Sequence, residues 1–144
     1  MTVQRGQKYW KNKADDLFKQ LVRRGGVCER CGKRGYPTST GPNGGLETSH
    51  VLSRRYANTR CDFRNAFCLC SSCHRWVTAN PLGHAEFFHK WHAERFEQQG
   101  SPTPDEDAMA LGETLRRLAY SGDKVDWQAV YERLLFEEKR AENE

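Results

Sequence analysis

Residues 65–74 read "NAFCLCSSCH", from Asn65 to His74. The run Ala66 to Cys70 is short, apolar and bounded by polar residues, as a buried strand is. Ser71-Ser72 then precedes a segment with apolar residues at helical spacing, which signals a helix beginning near Ser71. Strand, Cys-x-x-Cys and helix are thus fused within a few residues, with Asn65 before the strand and His74 directly after the last cysteine.

A second Cys-x-x-Cys pair, Cys28 and Cys31, lies in the glycine-rich turn "VCERCGKRG". Two such pairs can supply four thiolates to one tetrahedral Zn²⁺, and Gly32 suits the tight turn that sets two sulfurs on one ion. Cys28, Cys31, Cys70 and Cys73 are therefore the expected ligands of one structural zinc. Such an ion contributes on the order of 10 kcal/mol of apparent binding energy in small zinc domains. Cys61 and Cys68 are left over and read as small buried hydrophobes. An intracellular, reducing environment fits this use of thiols, and "MTVQRGQKYWKNK" carries no apolar signal segment, so a cytoplasmic location is expected. No apolar run is long enough to span a membrane.

Outward from this centre the chain reads as helices. Residues 8–24 place Trp10, Ala14, Leu17, Phe18, Leu21 and Val22 at helical spacing, and Gly25-Gly26 ends the segment. Residues 36–45 read as a loop. "LETSHVLS" and "RNAFCLC" read as two short strands joined by the basic, polar "RRYANTRCDF". Beyond Pro81, helices are expected over 82–98, 104–120 and 126–142. Thr103 and Glu106 have the spacing of a capping box, with Pro104 at the first helical position. The fold class is α+β, organised as a basic N-terminal helix (1–26), a zinc-stapled core (27–80) and a helical extension (81–144).

Charge divides along the same lines. Residues 1–80 hold 15 Lys+Arg against 5 Asp+Glu, whereas residues 81–144 hold 8 against 14. The basic front half suits a polyanion such as DNA, although a solvated basic face would look the same. Arg54, Arg55, Arg60, Arg64 and Arg75 bracket the strand pair and are the candidate phosphate contacts. Lysines and arginines of the first helix add to them. The acidic C-terminal helices are expected to pack together, to dimerise or to meet a protein partner.

A hydrolytic site needs a base near neutrality, a group that orients it and a cation for developing charge. If the strands pair and the metal pins the helix beside them, His50, Asn65 and His74 converge. Taken singly, each has an ordinary reading as a satisfied polar side chain, a turn residue or a spare ligand. His84, His89 and His92 fall in the following helix, where His89 and His92, three apart, share a face that reads as an ordinary half-buried helix surface ahead of a metal pair.

In order and spacing, Cys28/Cys31, His50, Asn65, Leu69, Cys70, Cys73 and His74 resemble the HNH (ββα-metal) endonuclease motif in its zinc-bearing form. The stretch "SHVLSRRYANTRCDFRN" more loosely resembles NinG-like phage recombination nucleases, through its His-x-x-Ser-Arg. The resemblance covers about residues 27–80. It implies a ββα-metal core that hydrolyses DNA phosphodiesters, with His50 as general base and Asn65 holding the hairpin and orienting His50 through a hydrogen bond. His74 would ligate one catalytic Mg²⁺ or Mn²⁺, and the substrate would be branched or recombination-intermediate DNA. One departure stands out: Ser49 occupies the place where many members carry Asp or His as a second metal ligand. Glu47, Asn80 or the scissile phosphate would have to substitute, and strict strand alternation puts Glu47 and Ser49 on the face opposite His50. Two other functions stay open, a non-catalytic zinc module that binds DNA and a scaffold protein of a phage or mobile-element complex.

Overall fold

A computed structural model describes residues 4–37 and 44–143. Within them the chain forms six helices and one two-stranded antiparallel sheet. The helices are α1 (Gln7–Arg23), α2 (Ala57–Arg60), α3 (Ser71–Ala79), α4 (Pro81–Gln98), α5 (Pro104–Tyr120) and α6 (Trp127–Glu142). The strands are β1 (Leu46–His50) and β2 (Ala66–Cys70). Of the loop expected over 36–45, residues 38–43 lie outside the described residues. None of these helices is long and apolar enough to cross a membrane.

The hairpin is covered on both faces, which is why all of β2 is buried despite its length of 5 residues. The register pairs Leu46 with Cys70 and His50 with Ala66. Neighbours on β2 therefore point to opposite sides. Ala66 joins the cluster that α1 forms with α6 around Phe18, Leu21, Trp127 and Leu134. Phe67 joins the cluster of Val77, Phe88 and Leu115, its ring 4.5 Å from that of Phe87. The connection read as a polar linker contains α2 and a 3-10 turn, Phe63–Asn65, whose start Asp62 caps by accepting from the Arg64 N–H.

Of the acidic C-terminal helices, expected to pack together, α4 and α5 do so and α6 does not. α6 lies along α1, with the Trp127 N–H donating to Gln7 Oε1 at 2.7 Å, and α5 lies along α4. The apolar stripe of α1 needs a covering layer, and that layer comes from the far end of the chain. Nor does Thr103 form a capping box. Its side chain makes no cap bond, and Ser101 and Thr103 instead both donate to Asp107. Pro104 does occupy the first turn of α5.

Candidate active site and metal centre

The Cys-x-x-Cys turn at residues 28–31 is a tight hairpin. Cys28 N–H donates to Lys33 O at 2.8 Å, and Gly32 N–H returns to Cys28 O at 2.9 Å. Gly32 has φ +79, a left-handed conformation that side chains disfavour. Glu29 docks this turn onto β2: its N–H donates to Cys68 O at 2.8 Å, and its Oε1 accepts from Cys68 N–H at 2.8 Å. One residue thus extends the sheet edge by a single rung. Burial raises the Glu29 pKa, opposed by that same N–H.

This docking brings together Cys28, Cys31, Cys70 and Cys73, whose sulfurs all lie within 4.8 Å of one another. Cys31 and Cys70 are 3.9 Å apart. Zn–S bonds of about 2.3 Å in a tetrahedron put sulfurs roughly 3.8 Å apart, so the four cysteines can hold a metal such as zinc. Burial works against ionisation of both Cys70 and Cys73. At Cys70 the N–H of Cys73 and neighbouring groups overcome it and lower the pKa to about 6, while Cys73 is pushed up to about 12. Thiols this close cannot all ionise without a cation among them. Arg30 supports the set, its guanidinium donating to Cys73 Sγ at 3.4 Å while lying 3.7 Å over the ring of Trp76.

Cys61 and Cys68 stand outside this group. Both are buried, and burial, with Asp15 beside Cys61 and Glu29 beside Cys68, pushes each thiol up to about 12.

His50 ends β1 on the face toward α1, its ring 5.8 Å from that of Phe18. Nε2 lies 2.9 Å from the carbonyl of Arg60. A carbonyl only accepts, so Nε2 carries the proton and Nδ1 keeps the lone pair. Burial lowers the His50 pKa, and the cationic Arg54 and Arg60 add to the effect. The imidazole is accordingly held neutral near pH 7.

Asn65 is fully buried at the end of the 3-10 turn. The expected hydrogen bond from it to the His50 ring is not made. Its Oδ1 accepts from Leu52 N–H at 2.7 Å, and its Nδ2 donates to Leu52 O at 3.1 Å and Thr59 O at 3.0 Å. Asn65 locks the segment leaving His50 against the residue preceding Arg60. It acts on the histidine through backbone alone.

His74, in the first turn of α3, lies on the other side of the hairpin. Its Nδ1 is 2.7 Å from Glu47 Oε1. Glu47 and the buried Ser49 face α3 while His50 faces α1, as strand alternation requires. Among the described residues no hydrogen bond joins His50, Asn65 and His74 directly. Asn80 points elsewhere, its Nδ2 donating to Trp76 O at 2.8 Å. Among the described residues, the buried Nε2 of His84 and of His92 has no hydrogen-bond partner, and burial lowers the pKa of both. His89 pairs with Asp105 at 3.0 Å.

The arginines separate into two kinds. Arg60 is committed to Asp15 through two bonds of 2.7 Å and donates also to Arg54 O at 2.8 Å, so it is structural rather than a phosphate contact. Arg64 is paired with Asp62 at 2.7 Å, though partly exposed. Arg55 lies over Tyr56, and Arg54 and Arg75 are exposed. Sequence reasoning passed over Lys33 and Arg34, which line a cleft of about 130 Å³ with Arg75, Ser71 and Ser72 at the N-terminus of α3. Their position after a Cys-x-x-Cys turn was the available signal.

No protein-family model, curated protein or solved structure matches this chain.

Proposed function

We propose that the protein is a divalent-metal-dependent DNA endonuclease of the HNH type, built around a structural zinc held by four cysteines. The observation that carries the reading is the state of the two histidines. His50 is kept neutral with one nitrogen bound to a backbone carbonyl and the other holding a lone pair. His74 is oriented by a carboxylate.

In this reading His50 Nδ1 takes the proton from the attacking water. Glu47 is a positioning residue: by accepting from His74 Nδ1–H it leaves Nε2 as the ligand nitrogen, the carboxylate–histidine arrangement common at metal sites. A Mg²⁺ or Mn²⁺ ion held there would stabilise charge on the phosphate and the leaving 3′ oxygen. Ser49 needs no ligand role if the scissile phosphate completes the coordination. Lys33, Arg34 and Arg75 around the α3 N-terminus, with Arg54 at the hairpin end, would hold backbone phosphates. Such contacts carry no sequence information and fit recognition of shape, including branched DNA.

One observation favours a second reading. His50 and His74 face opposite sides of the hairpin, which suits a zinc-stapled module that binds DNA without cutting it. Nicking of supercoiled plasmid decides between them. The endonuclease reading expects nicking with Mg²⁺ or Mn²⁺, arrest by chelator, and loss in His50→Ala with zinc content and DNA binding unchanged. An inactive wild type on supercoiled, linear and branched DNA, or an active His50→Ala, leaves the binding module.

A further inference from the structure

Across the Cys28–Arg34 turn from the cationic cleft lies a groove of about 560 Å³ between α3, α4 and the turn itself. Two arginine–tryptophan stacks wall it: Arg30 lies 3.7 Å over Trp76, and Arg95 lies 3.3 Å over Trp91. Trp76 is 38% exposed, high for a tryptophan beside a core. Its ring is fixed at the edge by Gly83, where an added Cβ would sit 2.4 Å from the indole Cη2. The charges of the groove balance, with Glu29, Glu86 and Glu94 against Arg30, Lys90 and Arg95.

A groove of this kind repels a run of phosphates as much as it attracts one. It suits a planar, uncharged ring whose edge carries both donors and acceptors, with carboxylates for amino groups and guanidinium or ammonium for ring nitrogens and carbonyls. Nucleobases are such rings, and they stack on aromatic side chains and on guanidinium planes alike. The two openings are also contiguous. Gly32 and Lys33 are chain neighbours, one lining the groove and the other the cleft, and so are Trp76 and Arg75. A phosphate in the cleft thus has a base-sized, aromatic-walled groove one residue away.

We infer that the Trp76–Trp91 groove binds an unpaired nucleobase of a DNA strand whose backbone crosses the Lys33–Arg75 cleft. The ligand class rests on the DNA reading above, but not on cleavage. This makes the substrate DNA with locally single-stranded nucleotides, such as a tail, flap or opened junction, rather than continuous duplex.

The test is binding of the zinc-loaded chain to labelled blunt duplex and to the same duplex with a single-stranded tail, without Mg²⁺ or Mn²⁺. The tailed DNA is expected to bind about tenfold tighter, the worth of one stacked base. Trp76→Ala and Gly83→Ala should both reduce that preference to near unity. Gly83→Ala favours the helix and retains every groove side chain, so it separates ring position from folding, which thermal melting monitors. Equal binding of the two DNAs by the wild type, or a preference untouched by both well-folded variants, overturns the inference. The latter result, with tryptophan fluorescence unresponsive to free nucleoside, would leave the groove to a protein partner. Plasmid nicking is read separately, so loss of the base preference and loss of nuclease activity are distinguishable.

Discussion

The carbonyl of Arg60 lies 2.9 Å from Nε2 of His50, and Asn65 grips both Thr59, the residue before that carbonyl, and Leu52, two residues after the histidine. The asparagine therefore governs the histidine without touching it. Asn65→Ala removes three hydrogen bonds from a fully buried position. Stranding the Leu52 and Thr59 backbone groups should cost about 3 kcal/mol of unfolding free energy, measurable in urea. Nicking should fall with it even at temperatures where the variant is folded. Asn65→Asp retains the acceptor for Leu52 N–H but loses both donors, so an unchanged stability would remove this account.

The lowered pKa of His50, caused first by burial, sets the sign of its pH dependence. The folded state resists protonation that the unfolded chain accepts near the ordinary value of 6.5. Stability from this group is thus fully present above pH 6.5 and declines as acid drives protons onto it. His84 and His92 are lowered for the same reason and add in the same direction. A base kept neutral in this way predicts a nicking rate that is flat at and above neutrality and falls below pH 6.5 on a single limb. A rate that rises on acidification would exclude His50 as the base.

The metal centre predicts unequal cysteines. Cys70→Ser should abolish stoichiometric zinc and unfold the core, since apparent binding energies of about 10 kcal/mol exceed the stability of many small domains. Cys68→Ser, two residues earlier on the same strand, touches a buried thiol outside the four-sulfur group and should retain one zinc per chain. Zinc release titrated with a colorimetric chelator, followed in parallel by circular dichroism, checks both. Equal losses would reassign the ligands.

Arg60 and Arg54 should separate stability from DNA binding. Arg60→Ala breaks a bidentate, partly buried pair with Asp15 and strands that carboxylate, so its melting temperature should fall. Arg54→Ala and Arg75→Ala leave exposed positions and should melt like the wild type, while each lowers the salt slope of DNA binding by about 1. Fluorescence anisotropy across a salt series gives that slope.

These differences mark how far the sequence could be read. Helical periodicity located α1, Ser71-Ser72 marked the start of α3, and the three C-terminal helices lie within about a residue of the expected spans. Alternation placed Glu47 with Ser49 and opposite His50, which is how the strand sits. The spacing of the two Cys-x-x-Cys pairs chose the four sulfurs that cluster. Partners distant in sequence were not legible. Nothing in "RRYANTRCDF" signals that Arg60 belongs to Asp15, 45 residues earlier, or that Asn65 bonds backbone rather than an imidazole. A buried asparagine satisfies whichever donors and acceptors the loop brings near, and that is decided by α2 and the 3-10 turn, not by local residue type.

The contact between Glu47 and His74 carries the last prediction. Their 2.7 Å separation leaves two roles for the carboxylate, to orient the imidazole or to hold the ion itself. Glu47→Gln distinguishes them: the amide oxygen can still accept from His74 Nδ1–H, but it is a far poorer ligand for Mg²⁺ than a carboxylate. If Glu47 orients His74, the glutamine variant should require only modestly more Mg²⁺ for nicking, while Glu47→Ala should require roughly 10- to 100-fold more, the usual loss on removing such a partner. If Glu47 is itself a ligand, both substitutions should raise the Mg²⁺ requirement to the same extent. His74→Ala should abolish metal-dependent nicking in either case, and zinc content should stay at one per chain, because the imidazole lies outside the four-sulfur group.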